Sequence, residues 1–131
     1  MDRYTPCSPQ RSVLIVDDSR DSREVLRAVL ELRGWNIIEA DDASDGLHKA
    51  DEFRPDVIVL DADARSAGGN DLQASYDDAS RRNNASLVVI GQARFNGPDD
   101  ARHRVISKPY HYAPLVRTID ELASSVLAKA S

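Results

Sequence analysis

The chain has 131 residues and a formal net charge of −5, with 41% hydrophobic, 5% aromatic and 30% charged residues. That length suits one domain with a single, mostly aliphatic core, and the composition is that of an ordinary globular protein. The acidic balance and scattered Lys and Arg argue against a nucleic-acid surface, which calls for a basic patch. No apolar run approaches the roughly 20 residues needed to span a bilayer.

Residues 1–11 read as a flexible polar tail with Pro6, Pro9 and the one cysteine, Cys7. A single cysteine forms no internal disulfide, and no apolar segment follows the first charges as a secretory signal would require. A reducing cytoplasm is therefore the expected compartment. Residues 12–131 read as the folded domain. Val13-Leu14-Ile15-Val16 is a continuous apolar run, the mark of a strand covered on both faces, and it stops at Asp17-Asp18-Ser19. Over residues 21–33, Val25, Leu26, Val29, Leu30 and Leu32 recur at helical spacing, and Gly34 stands where a helix stop belongs. Residues 35–39 form a second short strand around Ile37 and Ile38, with Trp35 as a packed residue.

Residues 44–53 predict a helix carrying Leu47, Ala50 and Phe53, ended by Pro55. Val57-Ile58-Val59-Leu60 is a third apolar run that stops at Asp61. Residues 62–70 are small or polar and read as a loop, followed by a weakly amphipathic helix over 71–82. Leu87-Val88-Val89-Ile90 is the fourth run, closed by Gly91. Residues 92–103 are irregular, with a turn at Asn96-Gly97-Pro98 and room for about one helical turn. Val105-Ile106 is a minimal fifth strand before Ser107-Lys108-Pro109, and the last helix runs over about 113–129, its start set by Pro114.

Strands alternating with helices imply a parallel sheet covered on both faces. At this length the expected fold is α/β: a flavodoxin-like, doubly wound, five-stranded parallel sheet of order 2-1-3-4-5, with a shortened or missing fourth helix. Ligands of such folds bind at the carboxyl ends of the strands. The first strand ends in Asp17-Asp18, the third in Asp61, and the fifth is followed by Lys108. An acidic residue after a strand is often no more than a helix cap. Three carboxylates on one rim, however, repel one another until a cation joins them. An all-oxygen ligand set selects a hard ion such as Mg2+, which prefers sites completed by phosphate oxygens. Lys108 can hold a further phosphate oxygen as a point charge, and one aspartate is left as a nucleophile.

Together, Val13-Leu14-Ile15-Val16-Asp17-Asp18-Ser19, Val57-Ile58-Val59-Leu60-Asp61 and Ser107-Lys108-Pro109 resemble the three signature segments of response-regulator receiver domains of two-component signalling, over roughly residues 12–128. The resemblance implies that Asp61 is the phosphoacceptor, fed by a sensor histidine kinase or a histidine phosphotransfer protein. It implies Mg2+ bound by Asp17, Asp18, Asp61 and the backbone carbonyl of Asp63, with Lys108 on the phosphoryl group. The implied protein is a CheY-like phosphorelay switch rather than an enzyme, acting on an unknown downstream protein target, with no nucleic-acid or membrane partner.

Departures from the family pattern cluster after the fourth strand. Gly91 stands where the family usually has Ser or Thr, Val105 where it usually has Tyr or Phe, and the stretch from Gly91 to Lys108 is several residues short. Arg65 falls near a place where the family commonly has proline, while Gly69 keeps an expected glycine. A phosphoacceptor whose signal is read differently is one implied function. The other is a pseudo-receiver, an interaction module that acts independently of phosphorylation. A small hydrolase working through an aspartyl-phosphate is disfavoured, because the short loops offer no cap to exclude water.

Overall fold

The computed structural model describes residues 11–61, 70–91, 103–106 and 112–130. The elements in chain order are β1 (Ser12–Val16), α1 (Arg20–Leu32), β2 (Asn36–Ala40), α2 (Ala43–Phe53), β3 (Val57–Asp61), α3 (Asn70–Arg82), β4 (Ser86–Ile90), β5 (His103–Ile106) and α4 (Tyr112–Ala130). The apolar runs become strands because both of their faces are covered: every residue of β3 and β4 is buried, as are all but the first of β1. Four strands run β2-β1-β3-β4, all parallel, and the four-residue β5 pairs beyond β4. This is the α/β parallel-sheet fold expected from the apolar runs. Of the expected tail over 1–11, residues 1–10 lie outside the described residues, as does the shortened or missing helix near 98–102, whereas Arg11 is bonded through its carbonyl to the Asn36 amide at 2.8 Å.

Side chains alternate across the sheet with a period of two, and two cores result. On one face Leu14, Val16, Ile58, Leu60, Leu87 and Val89 pack with Ala43 and Ala50 of α2 and Tyr76 and Ala79 of α3. On the other, Val13, Ile15, Val57, Val59, Val88 and Ile90 pack with Leu26 and Leu30 of α1 and Leu115, Val116, Ile119 and Leu122 of α4. Each fully buried aliphatic side chain contributes about 1.5–3 kcal/mol, so the strands cannot be separated piecemeal.

Two expectations about the helices need correction. Leu32 is 90% exposed, and Val25 and Phe53 are about half exposed, so none belongs to the core. At about 100° per residue, Leu32 lies some 200° around α1 from buried Leu30, which turns it to solvent. The helix also starts earlier than expected. Ser19 is its cap and accepts from the Ser22 amide at 3.3 Å. Asp42 caps α2 in the same way, accepting from the Asp45 amide at 2.7 Å. At the C-terminus of α1, Gly34 takes φ +90°, the left-handed stop read from its position.

Trp35 is buried one residue before β2, rather than within it. Its Nε1 donates to Asp120 Oδ1 at 2.9 Å, and Arg33 forms an ion pair with the same carboxylate. Arg11 lies over the indole ring at 5.3 Å. These contacts tie the end of α1 to α4 across more than eighty residues of chain.

Helices α2 and α3 meet where Tyr76 donates its hydroxyl to the Ala43 carbonyl at 2.7 Å. Burial, then the charges of Asp42 and Asp45, push the tyrosine pKa well up, so it remains a donor. Gly46 makes this approach possible: a Cβ there would collide with the Tyr76 hydroxyl and stand 2.8 Å from Val16 Cγ2, the last side chain of β1. Gly46→Ala is expected to cost about 1–3 kcal/mol by overpacking. Thermal melting should show a Tm lowered by roughly 4 °C or more; an unchanged Tm would mean that α2 does not press on β1 in this way.

Candidate functional site

The site begins with strand register. Val16 is paired with Ala40 on one side and Leu60 on the other. Continuing that register by one residue sets Asp17 beside Asp61, on strands that neighbour at about 4.8 Å. Asp17 extends the β1 ladder through its amide, which donates to the Ala40 carbonyl at 3.1 Å. Both aspartates have the parity of Val13, Ile15, Val57 and Val59, the face covered by α1 and α4. They are nearly enclosed, with 8% of Asp17 and 7% of Asp61 exposed, whereas Asp18 is open to solvent.

Carboxylate oxygens of Asp17, Asp18 and Asp61 all lie within 4.8 Å of one another. At an effective dielectric near 20, a like-charge pair at that separation repels by about 3.5 kcal/mol, less where water screens Asp18. An octahedral Mg2+ with bonds of about 2.1 Å sets its ligands roughly 3–4 Å apart. The span and the all-oxygen donor set therefore fit that ion with small side-chain adjustments. Of the other expected site residues, Asp63 and Lys108 lie outside the described residues.

The bland reading of these acids as helix caps is answered by the cap itself. Ser19 holds that role, and Asp17 instead uses Oδ1 to accept the Ser19 amide at 2.9 Å. The chain bends at Asp18, making a turn between β1 and α1. Behind the turn is a polar network that the motif reading overlooked. Arg23 donates from Nη1 to the Asp17 carbonyl and from Nε to Glu39 Oε1 at 3.2 Å. Arg27 holds the other Glu39 oxygen at 3.0 Å, and Lys49 reaches the Glu39 carbonyl at 2.6 Å. One sign was available: Arg23 precedes buried Leu26 and Leu30 by three and seven residues, on the inward face of α1.

On the other flank, Asp61 is paired with Ile90, so β4 delivers Gly91 to the same rim. Gly91 donates its amide to Ile106 at 3.0 Å and has φ 140°. A side chain at that angle is strained, so the missing hydroxyl is built into the backbone of this strand end.

The response regulator receiver domain family profile matches residues 13–120. The chain belongs to this family. The receiver domain is 39% identical over 78 residues to Protein PilH of Pseudomonas aeruginosa, covering 60% of this chain and 63% of PilH. It is 25% identical over 115 residues to the polar-differentiation response regulator DivK of Brucella anthropi, covering 83% of this chain and 93% of DivK. Other curated relatives are longer: the chain spans 26% of the probable transcriptional regulatory protein TcrX of Mycobacterium tuberculosis and 48% of an uncharacterized response regulatory protein of Vibrio cholerae. Among solved structures, the CheY-like receiver domain protein of Methanospirillum hungatei JF-1 superposes with a TM-score of 0.77 at 21% identity, over 92% of this chain and 99% of that one. That likeness is one of fold.

Receiver domains are mostly signalling proteins rather than enzymes; they interact with sensor kinases and other proteins, and they bind Mg2+ at an acidic pocket. In this receiver domain Asp17, Asp18 and Asp61 form an acidic cluster at the carboxyl ends of β1 and β3. No described helix is long and apolar enough to cross a membrane.

Two outcomes test this geometry. In chelator, Asp18→Asn is expected to melt a few degrees above wild type, because about 1 kcal/mol of repulsion is relieved at an exposed position; a lower Tm would assign Asp18 a structural bond instead. Gly91→Thr is expected to lose about 1–3 kcal/mol in urea unfolding, from strain at positive φ. A neutral or stabilising result would show that the strand end accepts the hydroxyl residue the family usually carries.

Proposed function

We propose that this receiver domain accepts a phosphoryl group on Asp61 and passes the signal on through protein contacts. The observation that carries the reading is the convergence of Asp17, Asp18 and Asp61 at the carboxyl ends of β1 and β3. The donor is a phosphohistidine on a sensor histidine kinase or a histidine phosphotransfer protein; relatives of this chain include the CAI-1 autoinducer sensor kinase/phosphatase CqsS of Vibrio cholerae. A carboxylate oxygen of Asp61 attacks the phosphorus. The P–N bond of the donor breaks, its electron pair returns to the imidazole nitrogen, and an acyl phosphate forms on Asp61.

Asp17, Asp18, Asp61 and the Asp63 carbonyl are assigned as the ligands of Mg2+, which when bound neutralises charge on the phosphoryl oxygens. Lys108 is assigned a phosphoryl oxygen as a point charge. The near-burial of Asp17 and Asp61 limits competing water and holds the nucleophile against the rim. The reading takes residues 12–131 as one receiver unit in the cytoplasm, with a complete five-stranded flavodoxin-like sheet and a shortened or missing helix between β4 and β5. It assigns no membrane or nucleic-acid partner and no enzymatic turnover. With glycine at position 91 and valine at 105, the state change must be read through Lys108, backbone amides or the connection after β4.

The deciding experiment is incubation with acetyl phosphate and Mg2+, read by intact mass, with Asp61→Ala alongside. A phosphoryl-sized gain in wild type that is absent from the variant is the expected result. The variant should keep the wild-type fold, since Asp61 lies at the rim. No gain under conditions that label an ordinary receiver domain would overturn the reading in favour of a pseudo-receiver that works independently of phosphorylation.

A further inference from the structure

The Asp17–Asp18 peptide stands just past the end of β1 and joins two of the three carboxylates that converge there. A trans peptide is planar, so fixing the Asp17 carbonyl also fixes the direction of the Asp18 amide and the path to its side chain. That carbonyl accepts from Arg23 Nη1. The same guanidinium donates through Nε to Glu39 Oε1 at 3.2 Å, so one rigid fork spans the end of β1 and the neighbouring strand β2. Its surroundings hold it still. The Arg23 side chain is only 14% exposed, Arg27 fixes the far oxygen of Glu39 at 3.0 Å, and Lys49 ties the Glu39 carbonyl at 2.6 Å and Asp45 at 3.0 Å.

We propose that Arg23 is a positioning residue for the acidic pocket: by holding the Asp17 carbonyl against β2 through Glu39, it orients the Asp17–Asp18 peptide so that both carboxylates meet Asp61. The inference rests on the reading of that pocket as a Mg2+ site. It carries a sign that simple electrostatics does not share. Arg23 is a cation close to three carboxylates, so on charge alone its removal strengthens cation binding. If its role is to set the peptide, removal weakens binding instead, as loss of the groups that orient metal ligands does. Arg27 supplies the internal control, because it pairs with the same Glu39 and with Glu31 and, among the described residues, makes no bond to Asp17.

The test is a Mg2+ titration of the full chain followed by backbone amide chemical shifts, which report folding and affinity in the same spectra. Arg23→Gln is expected to weaken Mg2+ binding about tenfold, Arg23→Lys to fall between it and wild type, and Arg27→Gln to stay within about twofold of wild type. Arg23→Gln binding as tightly as wild type, or more tightly, would overturn the inference while leaving the Mg2+ site intact. Equal losses in Arg23→Gln and Arg27→Gln would also overturn it, by showing a general effect of the network. If Arg23→Gln does not give a folded spectrum, Arg23→Lys decides: weaker binding supports the inference and wild-type affinity overturns it. A wild-type chain whose spectrum does not respond to Mg2+ would overturn the pocket reading itself, and the inference with it.

Discussion

The pairing of β1 with β3 places Val16 opposite Leu60, and through that register Asp17 comes to lie beside Asp61. Two nearly enclosed carboxylates on adjacent strands repel each other, and Asp18 adds a third charge at the same point. The strands that carry this arrangement are held in register by their burial. Both strands are buried on both faces, and a slip of one residue would send every side chain of a strand to the opposite core. The stability of the apolar sheet thus offsets the electrostatic cost of the rim. That division between a stabilising scaffold and a destabilised site is common where a protein binds a charged ligand.

The two cores serve the site in different ways. On the α2 and α3 side, Gly46 lets Tyr76 and Val16 come together, so the last side chain of β1 is held directly beneath the turn that bears Asp17. On the α1 and α4 side, Leu26 and Leu30 bury the inner stripe of α1, which keeps the helix start and its Ser19 cap close to the rim. Trp35 and Asp120 then join that helix to α4 at the other end of the sheet. Packing below and hydrogen bonding above therefore act on the same short turn.

Gly91 marks where the rim departs from the pattern that the resemblance implied. Its positive φ and its bond to Ile106 belong to the backbone path of the strand end, so the absence of a hydroxyl there is coupled to how β4 leaves the sheet. The acidic half of the rim and the strand-four half are consequently under different constraints. The first is held by register and by Arg23; the second is shaped by a conformation that glycine alone adopts without strain.

Much of this was legible in the residues themselves. Continuous apolar runs of four residues announced buried strands, and the aspartates that ended two of them announced the rim, because both signals depend on local order along the chain. Helical spacing located α1 and α2 but left open which side chains at the edge of the stripe reach the core; Leu32 and Phe53 do not, since neighbouring helices and not spacing decide the width of the buried face. Arg23, Glu39, Lys49 and the Trp35–Asp120 tie carry no motif, and their partners lie on other segments, six to 85 residues away in the sequence. The sequence by itself determined the order of elements, the buried strands and the identity of the three acids. Only the tertiary structure decided how closely these acids converge, which residue caps α1, and what holds the turn between them, because those outcomes depend on register between strands and on hydrogen bonds between segments that meet only in the folded chain.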